Sequence, residues 1–284
     1  MRRIRVERWS TVETDKAHEQ AVSRLEDKAF SVLRVPARAA KPRTVGQTIV
    51  ADRGIGSRSQ DDLLEVGGEF IDWVKVCSTT PRLYARELLE RKIRTYAASE
   101  VRVFFTGDGF ELGVGQGVMR QVYEEAAEMG CAGFEVAAAQ VILSLEAKVD
   151  LVKQATACGL RVFAEVGRKG QNDRRAHSGW LLRQMEALME AGAYRILLQG
   201  EGIVEDVEQI DEGLLFDIAA GFDPRSIVFQ AKDARAQRWF IENFGPDTNL
   251  DVEPHDLIPL ELERRGLSKR GLVGLVAGGV DGVR

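Results

Sequence analysis

RVFAEVGRKGQNDRRAHSGWLLRQMEALMEAGAYRILLQG, Arg161 to Gly200, decides the fold. It opens on an apolar run of strand length and passes through a polar loop. It then enters a segment in which Leu181, Met185 and Leu188 are spaced four and three, which places them on one helix face. Gly192 stands where that helix should end, and YRILLQG from Tyr194 is a second strand-length apolar run. The stretch therefore reads as strand, loop, helix, strand, the repeating unit of a parallel sheet.

Outward from it the same rhythm recurs. Strand candidates are QTIVADR from Gln47, IDWVKV from Ile71, VRVFFTG from Val101, GFEVA from Gly133, RVFAEVG, YRILLQG, SIVFQAK from Ser226 and TNLDVEP from Thr248. Ile142, Leu145, Val149 and Val152 show a second helical stripe, and Gly130, Gly159 and Gly221 mark further helix ends, the last followed by Pro224. The runs close at eight, so the expected fold is α/β, a (β/α)8 TIM barrel, which typically needs roughly 250 of the chain's 284 residues. The rival is an open doubly wound sheet, but ADRGIGSRSQ after the first strand lacks the third glycine of a dinucleotide turn. GDGFELGVGQG, Gly107 to Gly117, lacks the Lys-Ser/Thr of a phosphate loop and reads as a flexible loop over the site. Residues 1–45 read as an N-terminal arm, with a helix from Thr14 to Lys28 and a linker, VPARAAKPR; residues 46–284 form the barrel.

Composition narrows the function class. A net charge of −5, 44% hydrophobic and 29% charged residues describe an ordinary globular chain. No apolar stretch approaches the roughly 18–20 residues of a membrane span, and no apolar run follows the charged start, so a cytoplasmic location is expected. Cys77, Cys131 and Cys158 lack zinc-site spacing and read as reduced thiols. An acidic total without a Lys/Arg block argues against nucleic acid or a membrane surface as partner. The arm is the natural element to cover a neighbouring subunit, and a homo-oligomer is the expected assembly.

In a barrel of this kind the chemistry lies at the carboxyl ends of the strands. Those ends are polar here: Asp52 and Arg53; Lys75 and Cys77; Thr106 and Asp108; Glu135; Glu165, Arg168 and Lys169; Gln199 and Glu201; Gln230, Lys232 and Asp233; Asp251, Glu253 and His255. Any one of them is as easily a hydrogen-bonded strand end or a solvated loop charge. As a set, Asp52, Lys75, Glu135 and Glu165 sit between apolar neighbours and are expected to point into the mouth, where burial demands a partner. Arg53, Lys75, Arg168, Lys169 and Lys232 would seat a small anion, and Asp52, Glu135 and Glu165 offer oxygen ligands to Mg²⁺. The loop holding His177 is a candidate lid, with Ser178 as the N-cap of the next helix. His18 reads as a surface residue of the arm.

GGEFIDWVKV, EMGCAGFEVA, CGLRVFAEVGRK, AGAYRILLQGEG, IVFQAKDARAQRWFIENFGPDTNL and LELERRGL, in this order, resemble the phosphosulfolactate synthase family from about Arg43 to Leu267. The resemblance implies a (β/α)8 barrel and a lyase that adds sulfite to phosphoenolpyruvate with Mg²⁺. It implies Lys169 as proton donor, with Lys75 and Glu165 as catalytic partners, and Asp52 and Glu135 as metal ligands. Arg53, Arg168, Lys232, Gln199 and Gln230 would bind the substrate. This chain departs from the family pattern after strand four, where EVAAAQ replaces a polar turn. It departs again after strand six, where QGEGIV lacks an Arg and puts Gln199 in place of a carboxylate, and at strand seven, where Gln230 replaces another. A neutral amide oxygen is a weaker Mg²⁺ ligand than a carboxylate. FTGD and KDARAQRWFIENFGPDTNL also resemble the plant heat-stress-associated relatives of the synthases. Three readings stand: a synthase-like lyase acting on phosphoenolpyruvate or a similar small anionic acceptor, a relative that acts on a different small substrate, and a non-catalytic stress-related or partner-binding barrel.

Overall fold

A computed structural model of the chain describes residues 28–77, 79–138, 141–167 and 178–268. The expected helix from Thr14, His18, the lid with His177, and Arg168 and Lys169 lie outside the described residues.

All eight expected strands form: β1 Thr48–Asp52, β2 Trp73–Val76, β3 Arg102–Phe105, β4 Gly133–Val136, β5 Arg161–Val166, β6 Arg195–Leu198, β7 Ile227–Gln230 and β8 Asn249–Val252. They pair in parallel and in order, and β8 closes on β1 through Ile49 and Asp251. The helices between them are α1 Ser57–Gly67, α2 Arg86–Ala98, α3 Asp108–Gln116, α4 Met119–Glu128, α5 Leu145–Ala157, α6 Ser178–Glu190, α7 Glu212–Gly221, α8 Ala234–Phe244 and α9 Leu257–Arg264. The open doubly wound sheet is excluded.

Side-chain alternation divides the strands between two cores. Val50, Val74, Val103, Phe134, Val162, Ile196, Phe229 and Leu250 face outward into the helix layer. Ile49, Trp73, Phe104, Phe163 and Val228 form a separate cluster inside the barrel, where Phe104 and Phe163 stack at 4.2 Å and the Trp73 ring meets Phe163 edge-on at 5.1 Å. Arg102 over Trp73 and Arg161 and Arg195 over Tyr194 cap this aromatic plug at the amino end. The registers stack inward residues of alternate strands above it: first Lys75, Glu135, Leu197 and Asp251, then Ala51, Thr106, Glu165 and Gln230, then Cys77, Ala137, Gln199 and Glu253. The barrel interior is thus apolar at the amino end and polar at the carboxyl end.

Several local readings change. Gly107 to Gly117 is mostly helix rather than loop: Phe110 is buried against Phe134, and Gly113 lies so close to Met119 that a Cβ would come within 2.6 Å of its sulfur. Packing of one aromatic residue outweighs the low helix propensity of the glycines. The α5 stripe is rotated: Lys148, Leu151, Val152 and Ala155 are buried, whereas Ile142 precedes the helix and is exposed. Leu181, Met185 and Leu188 are buried as expected. Gly130, Gly159 and Gly192 take the positive φ of helix termini; Gly221 does not, and is required instead by Leu182, which would lie 2.7 Å from its Cβ. Ser178 opens α6, and its hydroxyl donates to Asp217.

The described part of the arm is tied to the amino end of its own barrel. Arg43 pairs with Asp72 at 3.0 Å, Arg38 pairs with Glu261, and the Arg265 guanidinium donates to the Pro36 carbonyl at 2.7 Å. The two-proline linker is therefore a fixed strap over this end.

Candidate active site at the barrel mouth

The mouth is organised by Asp251, fully buried on β8. Its Oδ2 meets the Lys75 ammonium from β2, and its Oδ1 lies 2.6 Å from the Lys232 ammonium just after β7. Lys232 also stands 3.6 Å from Glu253, which is held at 3.0 Å by the half-exposed Arg53. Glu205 folds back to accept a hydrogen bond from the Lys232 backbone N–H at 2.7 Å. That fold requires Gly200, where a Cβ would meet the Gln230 carbonyl at 2.7 Å and the Glu205 carboxylate at 2.9 Å.

The two lysines respond to burial in opposite ways. Burial disfavours the Lys75 ammonium, but Asp251 and Glu135 more than offset it and raise its pKa above the ordinary lysine value. For Lys232 burial wins and lowers the pKa, helped by the charge of Lys75 and opposed by Asp251. Burial pushes against the Asp251 carboxylate, yet the two ammoniums hold its pKa below the usual value. Burial raises Glu205 towards its neutral form, and it raises the Cys77 thiol, which donates to the Lys75 carbonyl and is no thiolate nucleophile.

Lys75, Glu135, Glu165, Gln199, Gln230 and Lys232 are placed together here. Glu135 acts on Lys75 electrostatically, and the Glu165 carbonyl accepts from the Lys148 ammonium at 3.2 Å. Gln230 Oε1 accepts from the Gly200 N–H at 3.2 Å. Asp52 does not join them. Strand parity turns it outward: Gly54 and Ile55 N–H donate to its Oδ1 at 3.0 and 2.8 Å, the Tyr96 hydroxyl donates to Oδ2 at 3.0 Å, and Lys92 lies 2.9 Å away. Its apolar neighbours were the misleading signal, because a buried strand is apolar on both faces. Asp233 is the N-cap of α8, accepting from Ala236 N–H at 2.8 Å, and His255 is exposed. The residues missed as partners are Asp251, Glu205 and Glu253. The alternation Asn249, Asp251, Glu253, which puts all three on one face, was the available signal for two of them.

Neither Asp251 nor Asp52 is placed to hold Mg²⁺. Both Asp251 oxygens face ammoniums, Asp52 is sealed behind β1, and among the described residues no three metal-binding side chains converge. Among these residues no helix is long and apolar enough to cross a membrane.

A family model described as "(2R)-phospho-3-sulfolactate synthase (ComA)" matches residues 36–270, beginning at the strap residue that holds Arg265. The phosphosulfolactate synthase of Methanothermobacter thermautotrophicus is 30% identical over 247 residues, 84% of this chain and 95% of the relative. That of Bacillus subtilis is 30% identical, over 83% and 95%. Protein HEAT-STRESS-ASSOCIATED 32 of Arabidopsis thaliana is 25% identical, over 81% and 89%, so identity does not favour the plant branch. Among solved structures, 3-hexulose-6-phosphate synthase from Salmonella typhimurium superposes with a TM-score of 0.51 at 11% identity, over 82% of this chain and all of that one. That likeness concerns the fold alone. With the match spanning strap, barrel and mouth, the chain belongs to the phosphosulfolactate synthase family.

Proposed function

We propose that the chain is a synthase-like lyase that joins sulfite, or a related nucleophile, to phosphoenolpyruvate or a similar small anionic acceptor. The observation that carries this reading is the pair of ammoniums, Lys75 and Lys232, fixed on Asp251 within the mouth. An ammonium has three donors, and each lysine uses one on Asp251, so donors remain for a phosphate and a carboxylate. Lys75 at the floor and Lys232 above it hold the acceptor, and Arg53 closes the rim.

In the reaction the sulfur lone pair of sulfite forms a bond to the methylene carbon. The π electrons of the carbon–carbon double bond move onto the carboxylate as an enediolate, and a proton delivered to the adjacent carbon completes the addition. The phosphate ester stays intact. Charge growing on the carboxylate is stabilised by Lys75 and Lys232, donors already oriented before the reaction begins. Lys169, three residues beyond the end of β5, is the proposed proton donor on the strength of the family resemblance, with the inward Glu165 of β5 as its catalytic partner. No step is assigned to Mg²⁺, because Asp52 is turned away from the mouth and Asp251 is taken by the two ammoniums. The test is incubation of the purified protein with phosphoenolpyruvate and sulfite, with and without Mg²⁺, followed by mass spectrometry for the sulfonated product. Product that disappears in Lys169→Ala is the expected result; no product at high protein concentration overturns the reaction, and unchanged turnover in the variant overturns the donor.

A further inference from the structure

The chain between β6 and α7 begins as a clip folded onto one carbonyl. The Gly200 carbonyl accepts from the N–H groups of Ile203, Val204 and Glu205 at 3.0, 2.8 and 3.0 Å, and the Gly202 N–H returns to the Glu205 carbonyl at 2.9 Å. The clip is tied on both sides to the elements that flank Lys232. On the β7 side the Gly200 N–H donates to Gln230 Oε1 at 3.2 Å. On the α8 side the Arg235 guanidinium donates to the carbonyls of Val204, Val207 and Glu208 at 3.2, 2.8 and 3.0 Å. Between these ties Glu205 Oε1 accepts from the Lys232 N–H at 2.7 Å, a close approach open to it because Gly200 has no side chain.

The two lysines of the mouth are therefore anchored differently. Lys75 lies within β2, paired to β1 and β3, so the sheet itself fixes its backbone. Lys232 stands beyond the end of β7, at the junction with α8, and is held at both ends by acids: its N–H by Glu205 and its ammonium by Asp251 at 2.6 Å. A lysine side chain has many rotamers, so its ammonium stays in one place only if its backbone does. We infer that Glu205 is a positioning residue of the anion site: by holding the Lys232 backbone it sets where the Lys232 ammonium stands, and it acts on the ligand only through that lysine. The inference rests on the anion-binding reading above. It also gives a task to QGEGIV, the segment after β6 that departs from the family pattern, since its fold onto Gly200 is what brings the Glu205 carboxylate to Lys232.

The probe is 2-phospholactate, a phosphorylated carboxylic acid that lacks the double bond of phosphoenolpyruvate, titrated calorimetrically into the full chain and its variants. Glu205→Ala should weaken binding about tenfold, because a donor displaced by a fraction of an ångström no longer meets its acceptor. Should that variant not fold, Glu205→Asp asks the same question, since it keeps the charge and shortens the reach. Glu205→Gln keeps an oxygen for the Lys232 N–H and should recover most of the loss. In a Lys232→Met background Glu205→Ala should change affinity less than about twofold, because nothing is left to position, whereas a merely structural role would cost the same in either background. Wild-type affinity in Glu205→Ala overturns the inference and leaves the anion site standing, as does a loss that persists in full without Lys232 or one that Gln does not relieve. Absence of binding to the wild-type protein overturns both.

Discussion

Asp52 and Asp251 lie towards the carboxyl ends of neighbouring strands of the barrel and are both wholly buried, yet they do opposite things. Asp52 faces the helix layer, where one ammonium, one hydroxyl and two backbone N–H groups surround its carboxylate. Its charge is matched and its acceptor sites are filled, so it pins the turn after β1 to α2. Asp251 faces the barrel interior and gathers two ammoniums from β2 and the end of β7. Those cations keep donors that nothing in the triad uses. The same residue type at the same burial is a structural tie on one face of the sheet and an organiser of a binding site on the other, and strand parity alone separates the two.

The largest effect that tests this contrast is on stability. Asp52→Ala leaves Lys92 charged and buried without its carboxylate, and breaking such a pair costs about 3–5 kcal/mol. Urea denaturation should show that loss, while the folded fraction keeps its affinity for 2-phospholactate. A variant of unchanged stability that no longer binds the anion would place Asp52 in the site and erase the distinction.

A smaller effect is expected on the other side. In Lys232→Met, Asp251 keeps Lys75, so stability should change little, but 2-phospholactate should bind about 10–100-fold more weakly because a charge-assisted hydrogen bond is lost. The pH profile sharpens the assignment. Burial lowers the Lys232 pKa, so its ammonium is lost as pH rises, before the ordinary lysine range, and anion affinity should fall there. Lys75 is shifted upward and stays charged. The variant should lack that alkaline limb; a limb that persists unchanged assigns it to another group.

The sequence made the barrel legible because eight strand-length runs, four of them followed by a helical stripe or a glycine stop, leave few other topologies. Lys75, Glu135, Glu165, Gln199 and Gln230 could be placed by counting positions from strand ends. Counting failed at Asp52, because the β1 run TIVAD is apolar on both faces and does not reveal where its parity starts. It passed over Asp251 for a different reason: a lone carboxylate at a strand end looks the same whether it meets solvent or two lysines delivered by chain segments 176 and 19 residues away. Glycine content misled the reading of α3, since packing of Phe110 is a tertiary fact that composition does not carry.

The smallest expected effect concerns Mg²⁺. If Asp52 and Glu135 were ligands of one ion, its removal would expose two carboxylates to each other and to the substrate, and anion affinity would collapse. With Asp52 turned outward and Asp251 occupied by ammoniums, the cationic seat exists without the ion. Chelation with EDTA, or addition of millimolar Mg²⁺, should therefore change 2-phospholactate affinity by less than about twofold, since neither lysine contact depends on a metal. A large gain on adding Mg²⁺ would mean that the inward acids Glu135 and Glu165 recruit it together with the ligand. The floor of the mouth would then be a metal site completed by substrate, and the lysine pair its counterpart on the opposite side of the anion.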